Sequence, residues 1–128
     1  MSEPTAAAAP TSADVSPDPF WVGVDLFNAG AFWHAHEQWE HCWLAVRPHD
    51  PSQALAYQAL IQAAAALVKH QQGNLAGFHR NWAKSAAKLA QLPASFRSID
   101  LAALATTMQH LSAAPDGPLP QLERVPAS

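Results

Sequence analysis

The helical fold of this chain is indicated most directly by residues 55–68, which read LAYQALIQAAAALV. The stretch contains no charged residue, no proline and no glycine, and alanine, the best helix former, fills six of its positions. Its apolar side chains do not alternate with period two, as those of a half-buried strand would. It is shorter than the ~20 apolar residues of a membrane span, and Gln58 and Gln62 interrupt it. We therefore predict the central helix of a soluble helical domain, with both faces covered.

Composition and charge limit the classes of function that the chain can have. Of its 128 residues, 49% are hydrophobic and only 13% are charged, which is typical of one domain with a modest core. The formal net charge of −3 provides no basic surface for nucleic acid or an anionic membrane. The single cysteine, Cys42, has no partner for an internal disulfide, and no basic-then-apolar signal segment opens the chain. We expect a cytoplasmic protein without a nucleic-acid or membrane partner.

Prolines mark the boundaries of the predicted domain. Eight of the eleven prolines lie near the two ends of the chain, and only three interrupt its middle. We predict three segments: a disordered and dispensable tail over residues 1–17, a helical domain over 18–113, and an extended C-terminal tail over 114–128. Three apolar residues allow the C-terminal tail to lie along the surface: Leu119, Leu122 and Val125.

Capping residues place the helices within this domain. Four residues have the side chains that N-caps require, and we predict that they begin the first, third, fourth and fifth helices: Asp18, Ser52, Asn74 and Asp100. A break at Asn28 and Gly30 separates the first two helices. The five helices are predicted to end near residues 27, 46, 73, 92 and 113. Because the connections are short, we predict an all-α, compact antiparallel bundle of four or five helices, with no sheet.

The chemistry is concentrated in residues 32–44, which read FWHAHEQWEHCWL. On a helical wheel of about 100° per residue, His36 and Glu40 point out of the middle of an aromatic stripe. That stripe consists of Phe32, Trp33, Trp39 and Trp43. Glu37 and Glu40 are the only glutamates outside the tails. A charge on a core-facing arc is costly unless it is paired or bound to metal, so this cluster is predicted to have a partner.

One interpretation of the cluster is a metal centre. His36 and Glu40 stand at positions i and i+4, as the two zinc ligands of an H-E-x-x-H motif do, and Glu37 is then the general base. Glutamate in place of the second histidine makes the site richer in oxygen, which suits Zn, Mn or Fe. A further ligand has to come from elsewhere, and the candidates are His41, His70 and His79.

Two other interpretations need no metal. In the first, the cluster forms a small-molecule pocket in which tryptophans such as Trp33 and Trp43 stack on the ligand and the carboxylates accept its hydrogen bonds. Gln62 is a further residue that could bind or orient the ligand. In the second, the cluster is a structural polar network that fixes the helix register. The hydrogen-bond partners in that network are backbone groups or the side chains of Gln58, Gln62 and Arg47. The sequence leaves all three interpretations open.

Self-association is a separate prediction. The helices carry few charges, and a small alanine-rich bundle has a limited core of its own. A homodimer is the simplest assembly that would cover the remaining apolar surface.

Three spaced motifs also resemble a known family. FNAGAFWHAHEQWEHCW, LAYQALIQAAAAL and GNLAGFHRNWAKSAAKL together resemble a small prokaryotic family, domain of unknown function 309, over about residues 27–92. The resemblance implies an all-α domain labelled a predicted metal-dependent hydrolase. By position, the motif residues of the family fall on His36, Glu37, Glu40, Trp43, Gln62, Gly73 and Asn74. The chain departs from the pattern at Ala59, where the family has glycine, and at Phe78 and His79, where a small residue is usual.

Overall fold

The computed structural model describes residues 17–126, and five helices account for most of them. The helices are α1 (Pro19–Asn28), α2 (Phe32–Val46), α3 (Pro51–Gln71), α4 (Leu75–Leu89) and α5 (Leu101–Ala113). A small antiparallel hairpin of β1 (Ser95–Phe96) and β2 (Ile99–Asp100) joins α4 to α5. The predicted helical bundle is confirmed, whereas the prediction of no sheet is wrong because of this hairpin.

The N-termini of the helices follow the predicted capping residues with one exception. Three predicted caps are confirmed, since each side-chain oxygen accepts a hydrogen bond from a backbone N–H of the first turn: Asp18, Asn74 and Asp100. The predicted cap Ser52 is wrong. Pro51, which has no N–H to satisfy, occupies the first turn of α3, and Asp50 accepts the hydrogen bond from Gln53 N at 3.0 Å.

Helix α3 lies at the centre of the bundle, between α2 and α4, as predicted. Eight of its residues are buried, and five of them are alanines: Ala56, Tyr57, Ala59, Leu60, Ala63, Ala64, Ala66 and Leu67. Small side chains let the neighbouring helices approach closely. At the α3–α4 contact, the buried hydroxyl of Ser85 donates a hydrogen bond of 2.7 Å to the Ala59 carbonyl.

The chain after α5 makes a turn at residues 115–117 and continues over the bundle with little regular secondary structure, and we call residues 115–126 the C-terminal strap. Near its start, His70 Nε2 donates to the Pro115 carbonyl at 2.7 Å. Asn28 then holds Leu122 by two hydrogen bonds, donating from Nδ2 to the carbonyl at 3.1 Å and accepting at Oδ1 from the backbone N–H at 2.6 Å. Farther on, the strap pairs with β2 at Ile99. Leu122 is buried, so the strap closes part of the core.

Two further predictions concern the N-terminal tail and the membrane. The predicted tail over residues 1–17 lies outside the described residues except for Pro17. Among residues 17–126, none of the helices combines the length and the hydrophobicity that a membrane-spanning segment requires.

Candidate functional site

The core-facing arc of α2 differs from the predicted one. Its buried residues recur at helical spacing and are Phe32, Ala35, Trp39 and Cys42. His36 lies at the edge of this arc with 16% of its side chain exposed, and about half of Glu40 is exposed. The expectation that both side chains leave the middle of a buried aromatic stripe is therefore wrong. The reason is that Trp33, which the wheel assigned to that stripe, is 54% exposed.

The imidazole of His36 makes no hydrogen bond within residues 17–126. Its Nδ1 is buried and has no partner, because Glu40 Oε1, the nearest carboxylate oxygen, is 3.9 Å away. The imidazole is instead held by stacking on the Trp33 indole, with the ring centroids 4.9 Å apart and the planes inclined by 13°. The stack orients both rings, and it leaves the buried Nδ1 of His36 without a hydrogen-bond partner.

Glu37 takes part in a different contact. Its Oε1 accepts a hydrogen bond of 3.3 Å from His34 Nδ1, and both side chains are at least half exposed. This contact lies on the outer face of α2. The predicted general base is thus engaged on the solvent side of the helix, away from the edge where His36 lies.

The hydrogen bonds that a satisfied polar network needs are not formed within residues 17–126. Gln62 is partly buried, and its Oε1 has no hydrogen-bond partner. Arg47, another predicted partner, places its guanidinium over the ring of Trp43 at 4.9 Å. One face of the Trp43 indole is therefore covered by Arg47, the residue that caps the C-terminus of α2. His36 and Gln62 remain the two partly buried side chains that carry unpaired polar atoms.

The donor set around His36 does not fit a catalytic metal centre. His36 and Glu40 supply two donors, whereas catalytic zinc sites take three ligands from the protein. The part of the chain that the structure describes contains no group of three or more His, Cys, Asp or Glu side chains that could hold a metal ion. The candidate third ligands are engaged elsewhere, His70 with the strap and His79 with Ser112 Oγ at 3.3 Å. His41 lies on the exposed side of α2.

A half-open depression of about 390 Å³ lies where the start of α2 meets the end of α3, and we call it the α2–α3 cavity. Its lining combines one indole, two apolar side chains, one amide and one ammonium group: Trp33, Ala65, Val68, Lys69 and Gln72. The two helices are antiparallel, since the start of α2 faces the end of α3. One turn farther from the cavity along each helix lie the residues that follow Trp33 on α2 and the residues that precede Ala65 on α3, and none of them lines the cavity. These turns carry His36 and Gln62, the two side chains with unpaired atoms.

A larger groove lies between α4 and α5. Its volume is about 640 Å³, and its lining is mostly apolar, with Trp82, Leu89 and Leu101 among its residues. None of the motif residues of α2 lines this groove.

Sequence reasoning missed a polar cluster at the hairpin. Arg97 donates to Tyr57 Oη at 3.0 Å and to the Asp18 carboxylate, and its guanidinium lies 4.4 Å from the centre of the Phe20 ring. This hydrogen bond from Arg97 holds the pKa of Asp18 below its ordinary value. Burial raises the pKa of the neighbouring Cys42 thiol, which keeps it protonated and poorly nucleophilic. The cluster joins α1, α3 and the hairpin, and no local sequence motif signals it.

Comparison with known protein families gives a match over the first four helices. No curated protein matches the chain. Residues 20–81, from α1 into α4, match the model of the family described as Domain of unknown function (DUF309). The matched segment includes both walls of the α2–α3 cavity as well as His36 and Gln62. The chain therefore contains a domain of unknown function 309, as its motifs predicted.

Proposed function

We propose that the chain is a small-ligand-binding domain and that its site is the α2–α3 cavity. The observation that carries this proposal is the position of Trp33. Its indole lines the cavity and is 54% exposed, yet stacking on His36 holds it in one orientation. An exposed aromatic ring held in place beside a cavity is suited to contact a ligand at little cost in conformational entropy.

The unpaired polar atoms support the same site. A buried polar atom without a partner costs about 1–3 kcal/mol, and that cost is recovered when a ligand or a water molecule bonds to it. His36 Nδ1 and Gln62 Oε1 are such atoms. Neither residue lines the cavity, but each stands three positions along its helix from a lining residue, Trp33 on α2 and Ala65 on α3. A ligand that reaches them gains hydrogen bonds that the protein itself leaves unmade.

Binding without catalysis is supported better than hydrolysis. The hydrolase interpretation requires a metal, a general base beside it and at least one more ligand. Here Glu37 pairs with His34 on the outer face, and His36 and Glu40 supply only two donors. The metal-dependent hydrolase activity stays a prediction from the sequence. The assembly of the chain into a homodimer stays a prediction as well.

The thermal response to metals tests this preference. We expect that zinc, manganese and iron(II) shift the melting temperature of neither the wild type nor Glu40→Gln relative to chelator, because a two-donor pair binds metal weakly. A resident metal at about 100 times its Kd would stabilise the native state by about 2.7 kcal/mol. If a metal stabilises the wild type and does not stabilise Glu40→Gln, the proposal of binding without catalysis is overturned. The metal-dependent hydrolase then becomes the better interpretation.

Trp33→Ala tests the ligand site directly. In an NMR screen of small fragments that observes the amide resonances of the protein, we expect fragments that bind the wild type to perturb the resonances of residues 65–72 and to lose binding to Trp33→Ala. Stability should fall by about 1 kcal/mol or less, since over half of this side chain is exposed. Leu44→Ala is the matched control, because Leu44 is an apolar residue of α2 that is 53% exposed but does not line the cavity. Binders that perturb other regions, or that Trp33→Ala does not affect, would contradict the site.

A further inference from the structure

We propose that the α2–α3 cavity selects small apolar monocarboxylates. This inference rests on the proposed function and names the ligand class of that same site. It follows from the charge, the shape and the polarity of the lining. Lys69 is the one ionisable residue among those that line the cavity, and it is a cation.

The stem of Lys69 packs against α4, and its ammonium group has no ion-pair partner within residues 17–126. Its aliphatic stem passes close to α4, because a Cβ added at Gly77 would lie only 2.9 Å from Lys69 Cγ. This contact positions the stem. Among the ion pairs found within residues 17–126, none involves the Lys69 ammonium, so the structure provides no internal carboxylate for it. A ligand carboxylate at the cavity would supply the missing counter-ion.

The acidic side chains of α2 do not compete for this position. Neither Glu37 nor Glu40 lines the cavity. Glu37 accepts from His34, and Glu40 lies 3.9 Å from His36. A cationic ligand would therefore meet an ammonium group and no carboxylate, and repulsion by Lys69 disfavours it.

The backbone adds to the preference for an anion. Trp33 lies in the first turn of α2, which has Ala31 as its N-cap and therefore no side-chain acceptor for its first N–H groups. The N-terminus of a helix carries a partial positive charge. The cavity thus borders the positive end of α2 in addition to the lysine.

The rest of the lining defines the apolar part of the ligand. Trp33, Ala65 and Val68 form an aromatic and aliphatic surface, and Gln72 adds an amide that can donate to a carboxylate oxygen. The volume of about 390 Å³ is near the lower end of ligand cavities, which suits one or two rings. A single cation is neutralised by a single carboxylate. These properties together describe an apolar ring system that bears one acid group.

Calorimetry with two probes of nearly the same shape tests the inference. 2-Naphthoate carries the acid, and 2-naphthamide is its neutral counterpart. We expect the wild type to bind 2-naphthoate about ten-fold more tightly than the amide, as is reasonable for one partly exposed charge contact. Raising the salt concentration from about 0.05 M to about 0.5 M should reduce that preference, because screening weakens ionic contacts.

Lys69→Met identifies the source of the preference. Methionine keeps most of the apolar stem, so we expect the variant to bind both probes equally. Lys69→Gln is a second variant with the same expected result, in case methionine disturbs the contact with Gly77. Lys84→Met, which removes a lysine from the exposed side of α4, is the matched control and should keep the preference.

The outcomes separate the ligand class from the site itself. Equal affinity for the two probes in the wild type, with binding lost in Trp33→Ala, would overturn the monocarboxylate inference and leave the proposed site intact. A preference for the acid that survives in both Lys69 variants would also overturn the inference. Failure of both probes to bind would overturn it too, and the fragment screen would then decide whether the cavity binds ligands at all.

Discussion

Gly23→Ala is expected to lower the free energy of unfolding by about 2 kcal/mol, although alanine is the better helix former by about 1 kcal/mol. Gly23 lies in the middle of α1, where the side chain of Trp39 crosses it. A Cβ added at Gly23 would stand 2.3 Å from Trp39 Nε1. Trp39 has no room to move, because it is fully buried and its Nε1 donates to the Phe20 carbonyl at 3.1 Å. Helix propensity therefore predicts that Gly23→Ala raises the free energy of unfolding, whereas packing predicts that it lowers it.

A double-mutant cycle in urea measures this contact. Trp39→Phe alone should cost about 2–3 kcal/mol, since it loses buried volume and the hydrogen bond to Phe20. In the Trp39→Phe background, Gly23→Ala should cost at least about 1 kcal/mol less than in the wild type. An equal cost of Gly23→Ala in both backgrounds would contradict the proposed clash.

Truncation after Ala114 is expected to lower the melting temperature by about 12–24 °C. The truncation removes the C-terminal strap, including the buried Leu122 and its two hydrogen bonds to Asn28. These losses amount to about 3 kcal/mol, and in a domain of this size each kilocalorie corresponds to about 4–8 °C. Differential scanning calorimetry gives the shift.

Two further variants control for the truncation. Deletion of residues 1–14 removes the same number of residues as deletion of 115–128, and the predicted dispensable tail means that it should change the melting temperature little. Asn28→Ala keeps the strap and removes only the side-chain hydrogen bonds to Leu122, so it should give a smaller decrease. A truncated protein that melts within a few degrees of the full chain would show that the strap contributes little.

Most of the helices could be predicted from local sequence. Asp18, Asn74 and Asp100 cap helices as predicted because a cap depends only on residues within one turn. The hairpin could not be predicted in this way. Its two-residue turn has positive φ angles at Arg97 (49°) and Ser98 (69°), where glycine and asparagine are usual. Contacts of Arg97 with Tyr57 and Asp18 accompany this conformation, and those residues are distant in sequence.

The candidate site could be predicted only in part. The wheel placed His36 near an aromatic surface, and it stacks on Trp33. The wheel was wrong about the core-facing arc because alanine and cysteine give weak burial signals. Ala35 and Cys42 are buried, whereas Trp33 is exposed, so the true arc is rotated away from Glu40. The role of Lys69 in the cavity lining depends on the packing of α2 against α3, which sequence periodicity does not specify.

The long-range contacts of the strap have a consequence for folding kinetics. Asn28 and Leu122 are 94 positions apart, whereas the contacts among α1, α2, α3 and α4 join helices that follow one another. Contacts between distant positions form slowly, because a long loop must close before they stabilise the chain. We expect the four-helix part to form first, during synthesis, before Leu122 has left the ribosome. The strap would then act mainly on the rate of unfolding, since interactions formed after the transition state slow the escape from the native state.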